Sequence, residues 1–229
     1  MKIKMSGLGV TEASGKIGGT VVGKGRSGQF ARVRVKPVNP RTNAQVGQRS
    51  KFSVRSQGWR GLTEAQIQAW NAAADSGAFP LKNSLGVTFQ PTGSQLYNQL
   101  NLNLAKIGQA AISDVPVKEA LPAILLGALT SAAGTPALSQ AFSGTLGSGY
   151  SLAIYATAPV SPGISRPPRS RFRYLTTYTS TSPANLLSAY QALYGDPIEG
   201  QKIFLYAEVV SETSGQTALA GSSVAVVAA

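Results

Sequence analysis

Alternation of apolar and basic side chains defines the first ordered segment that the sequence predicts. Residues 17 to 23 and 29 to 36 have the composition of two strands joined by a Gly-rich turn. In the second strand the apolar positions are Ala31, Val33 and Val35, and the basic positions are Arg32, Arg34 and Lys36. One strand face is therefore predicted to pack, while the other projects three cations about 6.6 Å apart.

Helical spacing follows, between residues 42 and 107. Thr42, Thr63 and Thr92 are each followed three residues later by Gln, which is the signature of a helix N-terminus. The first helix, to about residue 58, has no clean apolar stripe. The later two have apolar faces, made of Ile67, Trp70 and Ala74 in one helix and of Leu96, Leu100, Leu104 and Ile107 in the other. These faces predict a helical core.

Beyond residue 137 the pattern changes to short strands. They are predicted at 139 to 146, Tyr150 to Ala158, Phe172 to Thr179, Lys202 to Ser211 and Ser222 to Ala228, with one short helix at 183 to 194. Such a series is typical of an antiparallel β-sandwich of the immunoglobulin or fibronectin type III kind. The predicted class is α+β, with a basic hairpin and helical assembly domain at 1–112, a Pro-containing linker or first strand at 113–137, and a sandwich at 138–229.

Charge is distributed unevenly along the 229 residues. The chain has 21 Lys and Arg against 9 Asp and Glu, a net charge of +12. Residues 1–60 hold 13 of the basic residues and one acid, Glu12, whereas residues 61–229 hold eight of each sign. The whole excess lies in the first quarter, which indicates a polyanionic partner or neutralisation inside an assembly.

Composition excludes several classes of enzyme. The chain has no Cys and no His, so thiolate zinc sites, Cys nucleophiles and Ser-His-Asp triads are ruled out. The most apolar run, LPAILLGAL at 121–129, is too short to cross a bilayer, and the first residues lead into no apolar run, so a soluble chain is expected. No cofactor, membrane or small-molecule substrate is predicted.

The stretch GGTVVGKG (18–25) has the spelling of a phosphate-binding loop. Gly25 stands where Ser or Thr would hold magnesium, and the sequence predicts strands on both sides rather than a following helix. A hairpin that happens to be basic is the favoured interpretation.

Two sets of cations are the candidate contact residues, for neighbouring subunits or for nucleic acid. The first comprises Lys16, Lys24, Arg26, Arg32, Arg34, Lys36, Arg41, Arg49, Lys51 and Arg55. The second, in an extended Pro-containing loop, comprises Arg166, Arg169, Arg171 and Arg173. Phosphate contact would give salt-dependent affinity with little sequence preference. A solvated face in the first set, and protection of a sheet edge in the second, remain open.

The carboxylates and the aromatic residues form no pattern that indicates catalysis, metal binding or a binding cage. The pairs Glu208 with Glu212 and Asp196 with Glu199 lack the pattern of a catalytic carboxylate pair, and Asp75, Asp114 and Glu119 lack metal-ligand spacing. Trp59, Trp70 and Tyr97 are predicted to be core residues rather than a binding cage.

Two segments resemble an uncharacterised family of bacteriophages and of phage-derived regions in bacterial genomes. SGKIGGTVVGKGRSGQFARVRVKPVNPRTNAQVGQRSKF, from residue 14, is similar to a Gly-rich basic hairpin that runs into N-P-x-T-x-x-Q and a basic helix. GLTEAQIQAWNAAA (61–74) is similar to the L-T-x-x-Q-x-x-A-W-N segment that follows. The resemblance spans about residues 10 to 110 and implies a virion-associated structural protein without catalytic residues.

The expectation is therefore a non-enzymatic component of a phage capsid, neck or tail, made in the host cytoplasm. Its expected partners are other copies of itself, other virion proteins and packaged DNA, bound by many weak contacts that a symmetric assembly repeats. The alternative is a DNA-binding or architectural protein that uses the same cations on phosphates, and an enzyme is a distant third.

Overall fold

A computed structural model describes residues 2–3, 14–25, 28–36, 38–83, 85–180 and 184–229. The chain divides into two compact units. The first unit comprises residues 1–102 and 112–118, and the second comprises 103–111 and 119–229.

The first unit begins with a small antiparallel sheet. Its strands are β1 (Lys2–Ile3), β2 (Gly15–Ile17), β3 (Thr20–Gly25) and β4 (Gly28–Val33), in the spatial order β1-β4-β3-β2. Gly18, with φ of 53°, occupies the left-handed region in the turn between β2 and β3, where a glycine carries no steric penalty. The predicted hairpin is thus confirmed within a four-stranded sheet.

Three helices and a second hairpin complete the first unit. They are α1 (Asn43–Arg60), α2 (Glu64–Asp75), β5 (Leu81–Lys82), β6 (Thr88–Phe89) and α3 (Gly93–Lys106), whose last residues belong to the second unit. The three predicted N-terminal threonines lie at the helix starts, and each hydroxyl accepts a hydrogen bond from the backbone N–H of the Gln three residues on. The starts of α1, α2 and α3 could therefore be predicted from the local sequence.

The capping box of α2 makes Thr63 a measurable contributor to stability. The Thr63 hydroxyl accepts from Gln66 N at 3.3 Å, and Gln66 Oε1 accepts from Thr63 N at 3.0 Å. Thr63→Ala is expected to lower the free energy of unfolding by about 1 kcal/mol, because one N-terminal amide loses its partner. Urea unfolding measures the change. Thr63→Ser keeps the hydroxyl and should stay close to wild type; an equal loss in both variants would contradict the capping role.

The core of the first unit lies between α2 and α3. Trp70 and Tyr97 pack edge to face with ring centroids 5.4 Å apart, and Trp70 Nε1 donates a 2.8 Å hydrogen bond to Ser113 O. Leu96 and Leu100 are buried in the same cluster, and Trp59 is partly buried against it. The prediction that Trp59, Trp70 and Tyr97 are core residues is confirmed.

The second unit is built mainly from two antiparallel sheets. One contains β7 (Leu125–Ala132), β8 (Ala137–Ser143) and β11 (Ala184–Asn185), and the other contains β9 (Tyr150–Thr157), β10 (Phe172–Tyr178), β12 (Lys202–Ser211) and β13 (Thr217–Val226). The strand orders are β11-β8-β7 and β10-β9-β12-β13, and helix α4 (Leu187–Tyr194) follows β11. The chain is thus of mixed α+β class.

One apolar cluster is shared by both sheets. Leu129 and Leu138 enter it from the first sheet, and Ile154, Leu205 and other residues of β9 and β12 enter it from the second. The strands predicted at 150–158, 172–179 and 202–211 are confirmed to within one residue. The segment 113–137 was predicted as a linker or a first strand. Strand β7 occupies the middle of this segment, so the strand alternative is confirmed there.

Candidate functional site

Nine of the ten cations of the first set lie on a segment that we call the arm, residues 14–54, and Arg55 directly follows it. The sequence has no acidic residue between positions 13 and 60. Eight of the ten predicted contact residues of this set are exposed: Lys16, Lys24, Arg32, Arg34, Lys36, Arg41, Arg49 and Lys51. Arg55 is half-buried, and Arg26 lies outside the described residues. The arm therefore presents its charge to its surroundings.

The sheet of the arm aligns cations across strands. Val21 is in register with Lys16 on β2 and with Arg32 on β4, so these three positions share one face of the sheet. Lys16 and Arg32 are two strand spacings apart, about 10 Å. Val22 lies on the opposite face and is buried. The face that contains Val21 therefore carries cations from two different strands.

The predicted packing of one strand face holds only for Ala31, which is half-buried opposite the buried Val22, and it is wrong for Val33 and Val35. Val33 and Val35 are 57% and 73% exposed, and the strand ends at Val33 rather than continuing to Lys36. The reason is the partner strand: β3 begins at Thr20, opposite Val33, and beyond it only the Arg34 N–H reaches Gly19 O at 2.7 Å. The residues after Val33 have no described strand to pair with, so the apolar Val35 and the basic Arg34 and Lys36 are all exposed.

Helix α1 has no buried residue along its eighteen described positions. Its first twelve residues, 43–54, are all exposed, including Val46, Phe52 and Val54. Contact with the core begins only in the last two turns, where the rings of Trp59 and Tyr97 lie 5.5 Å apart. Burial raises the pKa of Tyr97, and the positive charge of Arg55 partly opposes this. A helix exposed on all sides lacks the tertiary packing that normally stabilises one.

The second set of cations is split between two locations. Arg166 and Arg169 line an open groove of about 430 Å³ on the second unit, together with Phe172, Phe204 and Tyr206. The Arg169 guanidinium lies 3.7 Å from Glu208 and 5.5 Å from the centre of the Tyr206 ring.

Arg171 ends a short 3-10 turn, and Arg173 lies on β10, an edge strand of its sheet. Charges on an edge strand discourage pairing with another chain. The structure does not bring the four arginines together in one site.

An aromatic row in the second unit was missed from sequence. Tyr174, Tyr155 and Tyr206 are in register across β10, β9 and β12, and the last two rings stack with centroids 4.5 Å apart. Lys106 Nζ and Arg169 each lie 3.7 Å from Glu208, which also interacts with the Tyr155 hydroxyl. Burial, and next the Glu208 charge, raise the pKa of Tyr155 above the ordinary value of 10. The signal available in the sequence was the presence of at least one tyrosine in each of these three strands.

The phosphate-loop spelling does not form a phosphate-binding loop. Gly18 and Gly19 form the turn before β3, and Thr20 to Gly25 are strand residues that lead to β4 rather than to a helix. A nucleotide site needs a helix N-terminus behind the glycines. The hairpin interpretation is confirmed.

Two of the carboxylates considered from the sequence, Glu119 for a metal site and Glu212 for catalysis, accept structural hydrogen bonds. Glu119 accepts from Tyr150 Oη at 3.1 Å and from the Ser214 hydroxyl, and Glu212 accepts from the Ser151 hydroxyl. In the ranges that the structure describes, His, Cys, Asp and Glu form no cluster of three that could hold a metal ion. None of the helices in these ranges combines the length and hydropathy that a bilayer crossing requires.

Comparison with protein-family models, curated proteins and solved structures finds no match to the chain. The resemblance to a phage family therefore stays a prediction.

Proposed function

We propose that the protein is a non-enzymatic structural component of a bacteriophage virion, in the capsid or in the neck or tail, which assembles through its arm. The resemblance of residues 14–52 and 61–74 to a phage family supports the virion. The exposure of the arm supports the assembly role.

The observation that carries the proposal is the twelve-residue exposed part of α1. Fixing a backbone residue in one conformation costs about 1–2 kcal/mol in entropy, and here no buried side chain offsets that cost. Isolated helices shorter than about 12–15 residues are marginal in water. A partner that covers the exposed Val46, Phe52 and Val54 and neutralises the neighbouring cations would supply the missing stabilisation.

We further propose that the second unit is an immunoglobulin-like or fibronectin-like sandwich that acts as a packing or display module. Two antiparallel sheets that share one core support this. The cations on the arm would then make individually weak contacts that a symmetric particle repeats many times.

Mass spectrometry of gradient-purified particles tests the proposal, using a phage that encodes this chain. We expect the chain at a reproducible copy number, in a ratio to the major capsid protein that survives repeated washing. Detection in the infected-cell lysate but not in the particles would overturn the virion role.

A variant pair tests the arm within the same particles. Arg49→Gln with Lys51→Gln is expected to reduce the copy number about tenfold, because both side chains lie on the exposed part of α1; a tenfold change corresponds to only about 1.4 kcal/mol. The matched pair Arg171→Gln with Arg173→Gln removes the same charge outside the arm and should leave incorporation unchanged. Equal losses would show that total charge, and not the arm, governs assembly.

A further inference from the structure

The partner of the arm can be specified further. We propose that the arm binds nucleic acid through its phosphates, rather than a second copy of the chain or an acidic protein. This proposal depends on the proposed function in one respect, namely that the arm is the binding surface of the protein.

Charge balance argues against a second copy as the neutralising partner. Residues 1–60 carry a net charge of +12 and residues 61–229 carry none, so each added copy brings twelve further positive charges. Four of the eight acids in residues 61–229 already interact within the second unit: Glu119, Asp196, Glu208 and Glu212. A homo-oligomer therefore accumulates repulsion, and neutralisation needs a foreign polyanion.

The placement of the cations favours a polyanion over one acidic protein surface. Arg49 and Lys51 are two residues apart on α1, which places them about 160° apart around the helix axis. Both are exposed, so α1 presents charge on opposite sides. A flat acidic surface meets one side of such a helix, whereas a duplex groove has a phosphate backbone on each side.

The sheet of the arm adds a second contact surface of the same sign. Lys16 and Arg32 share a face across β2, β3 and β4, about 10 Å apart, and Arg34 and Lys36 extend the basic run beyond β4. Double-stranded DNA carries one negative charge per about 1.7 Å of its axis, so it can pair with cations at almost any spacing. The arm needs no particular sequence of bases for such contacts.

Fluorescence anisotropy with the full chain and a labelled 30-base-pair DNA duplex of arbitrary sequence tests the proposal. Between 50 and 300 mM NaCl, the logarithm of the affinity should fall linearly with the logarithm of the salt concentration. The triple variant Arg32→Gln, Arg34→Gln and Lys36→Gln should reduce the slope by about 2.7, which is 0.9 for each lost phosphate contact. At 100 mM salt we expect it to bind at least tenfold more weakly.

A matched triple variant removes the same charge from the second unit: Arg166→Gln, Arg171→Gln and Arg173→Gln. Its affinity should stay within twofold of the wild-type value, and its salt slope should stay within one unit of the wild-type slope. Circular dichroism and thermal unfolding of both variants should match wild type, since all six side chains are exposed. Equal weakening in the two triple variants would overturn the assignment to the arm.

Polyglutamate of equal total charge is the competitor that separates nucleic acid from an acidic protein. We expect unlabelled duplex to displace the probe at least tenfold more effectively than polyglutamate. Equal or better displacement by polyglutamate would overturn the proposal in favour of an acidic protein partner, as would absence of DNA binding at 50 mM salt. A chain that is abundant in particles but does not bind DNA refutes this inference alone, whereas a chain that binds DNA but is absent from particles refutes the virion role alone.

Discussion

Replacing Gly93 with alanine is expected to lower the free energy of unfolding of the first unit by about 3 kcal/mol or more. A Cβ at this position would collide with Asn71 Oδ1, and it would lie 2.8 Å from Asn71 N and 2.9 Å from Trp70 C. Two of these atoms belong to the backbone of α2, so relief requires the two helices to separate. That separation would loosen the packing of Trp70 against Tyr97.

Gly47 is the matched control for this substitution. It lies in the interior of α1, and a Cβ there would meet no atom within 4 Å. Alanine is about 1 kcal/mol more favourable than glycine inside a helix, so Gly47→Ala should be neutral or stabilising. Urea unfolding followed by tryptophan fluorescence measures both variants, since Trp59 and Trp70 both belong to the first unit. Equal stability of the two variants would contradict the close approach at Gly93.

Local interactions made part of the fold predictable. A threonine hydroxyl and a glutamine three residues on need no distant partner, so the starts of α1, α2 and α3 could be read from the sequence. The strand β12 was predicted with its observed limits, because its apolar and polar residues are bounded by turn residues on both sides.

Non-local pairing explains what the sequence did not reveal. The alternation in residues 29–36 predicted a packed face, but its burial depends on a partner strand that ends opposite Val33. Strand β7 lies in an apolar, Pro-flanked segment, and only its pairing with β8 distinguishes a strand from a linker there.

The candidate site was predictable in charge but not in geometry. The acid-free cationic segment is visible in the sequence, yet the exposure of the first twelve residues of α1 on all sides became visible only with the helix in place. Lys106, Arg169 and Glu208 come together from positions as far as 102 residues apart, and no local pattern encodes such a meeting. The same holds for the aromatic row of β10, β9 and β12.

Alkaline pH is expected to destabilise the second unit by about 5 kcal/mol between pH 9 and pH 12. Tyr155 and Tyr190 are both buried in this unit, and burial is the main cause that raises their pKa values above the ordinary value of 10. The negative charge of Glu208 adds to the shift at Tyr155, and Tyr194 adds to it at Tyr190.

The direction of the effect follows from which state releases protons. Below pH 10 both phenols are neutral in the folded and in the unfolded chain, so they do not make stability depend on pH. Above pH 10 the unfolded phenols ionise while the folded ones stay protonated, which favours unfolding by about 1.4 kcal/mol per pH unit for each group. Two groups over two pH units give the stated loss. Urea unfolding at pH 9 and at pH 12, with tyrosinate absorbance at 295 nm recorded in parallel, measures it.

Tyr190→Phe separates the phenol from the rest of the alkaline response. The Tyr190 hydroxyl is buried and has no hydrogen-bond partner among the described residues, so its removal should raise stability at pH 7 by about 1 kcal/mol. Above pH 10 the variant should lose about 1.4 kcal/mol less per pH unit than wild type, because one protonation difference between the two states has been removed. If the free energy of unfolding of Tyr190→Phe fell with pH as steeply as that of wild type, the Tyr190 phenol would ionise equally in the folded and unfolded states. That result would contradict the burial of Tyr190 in the core.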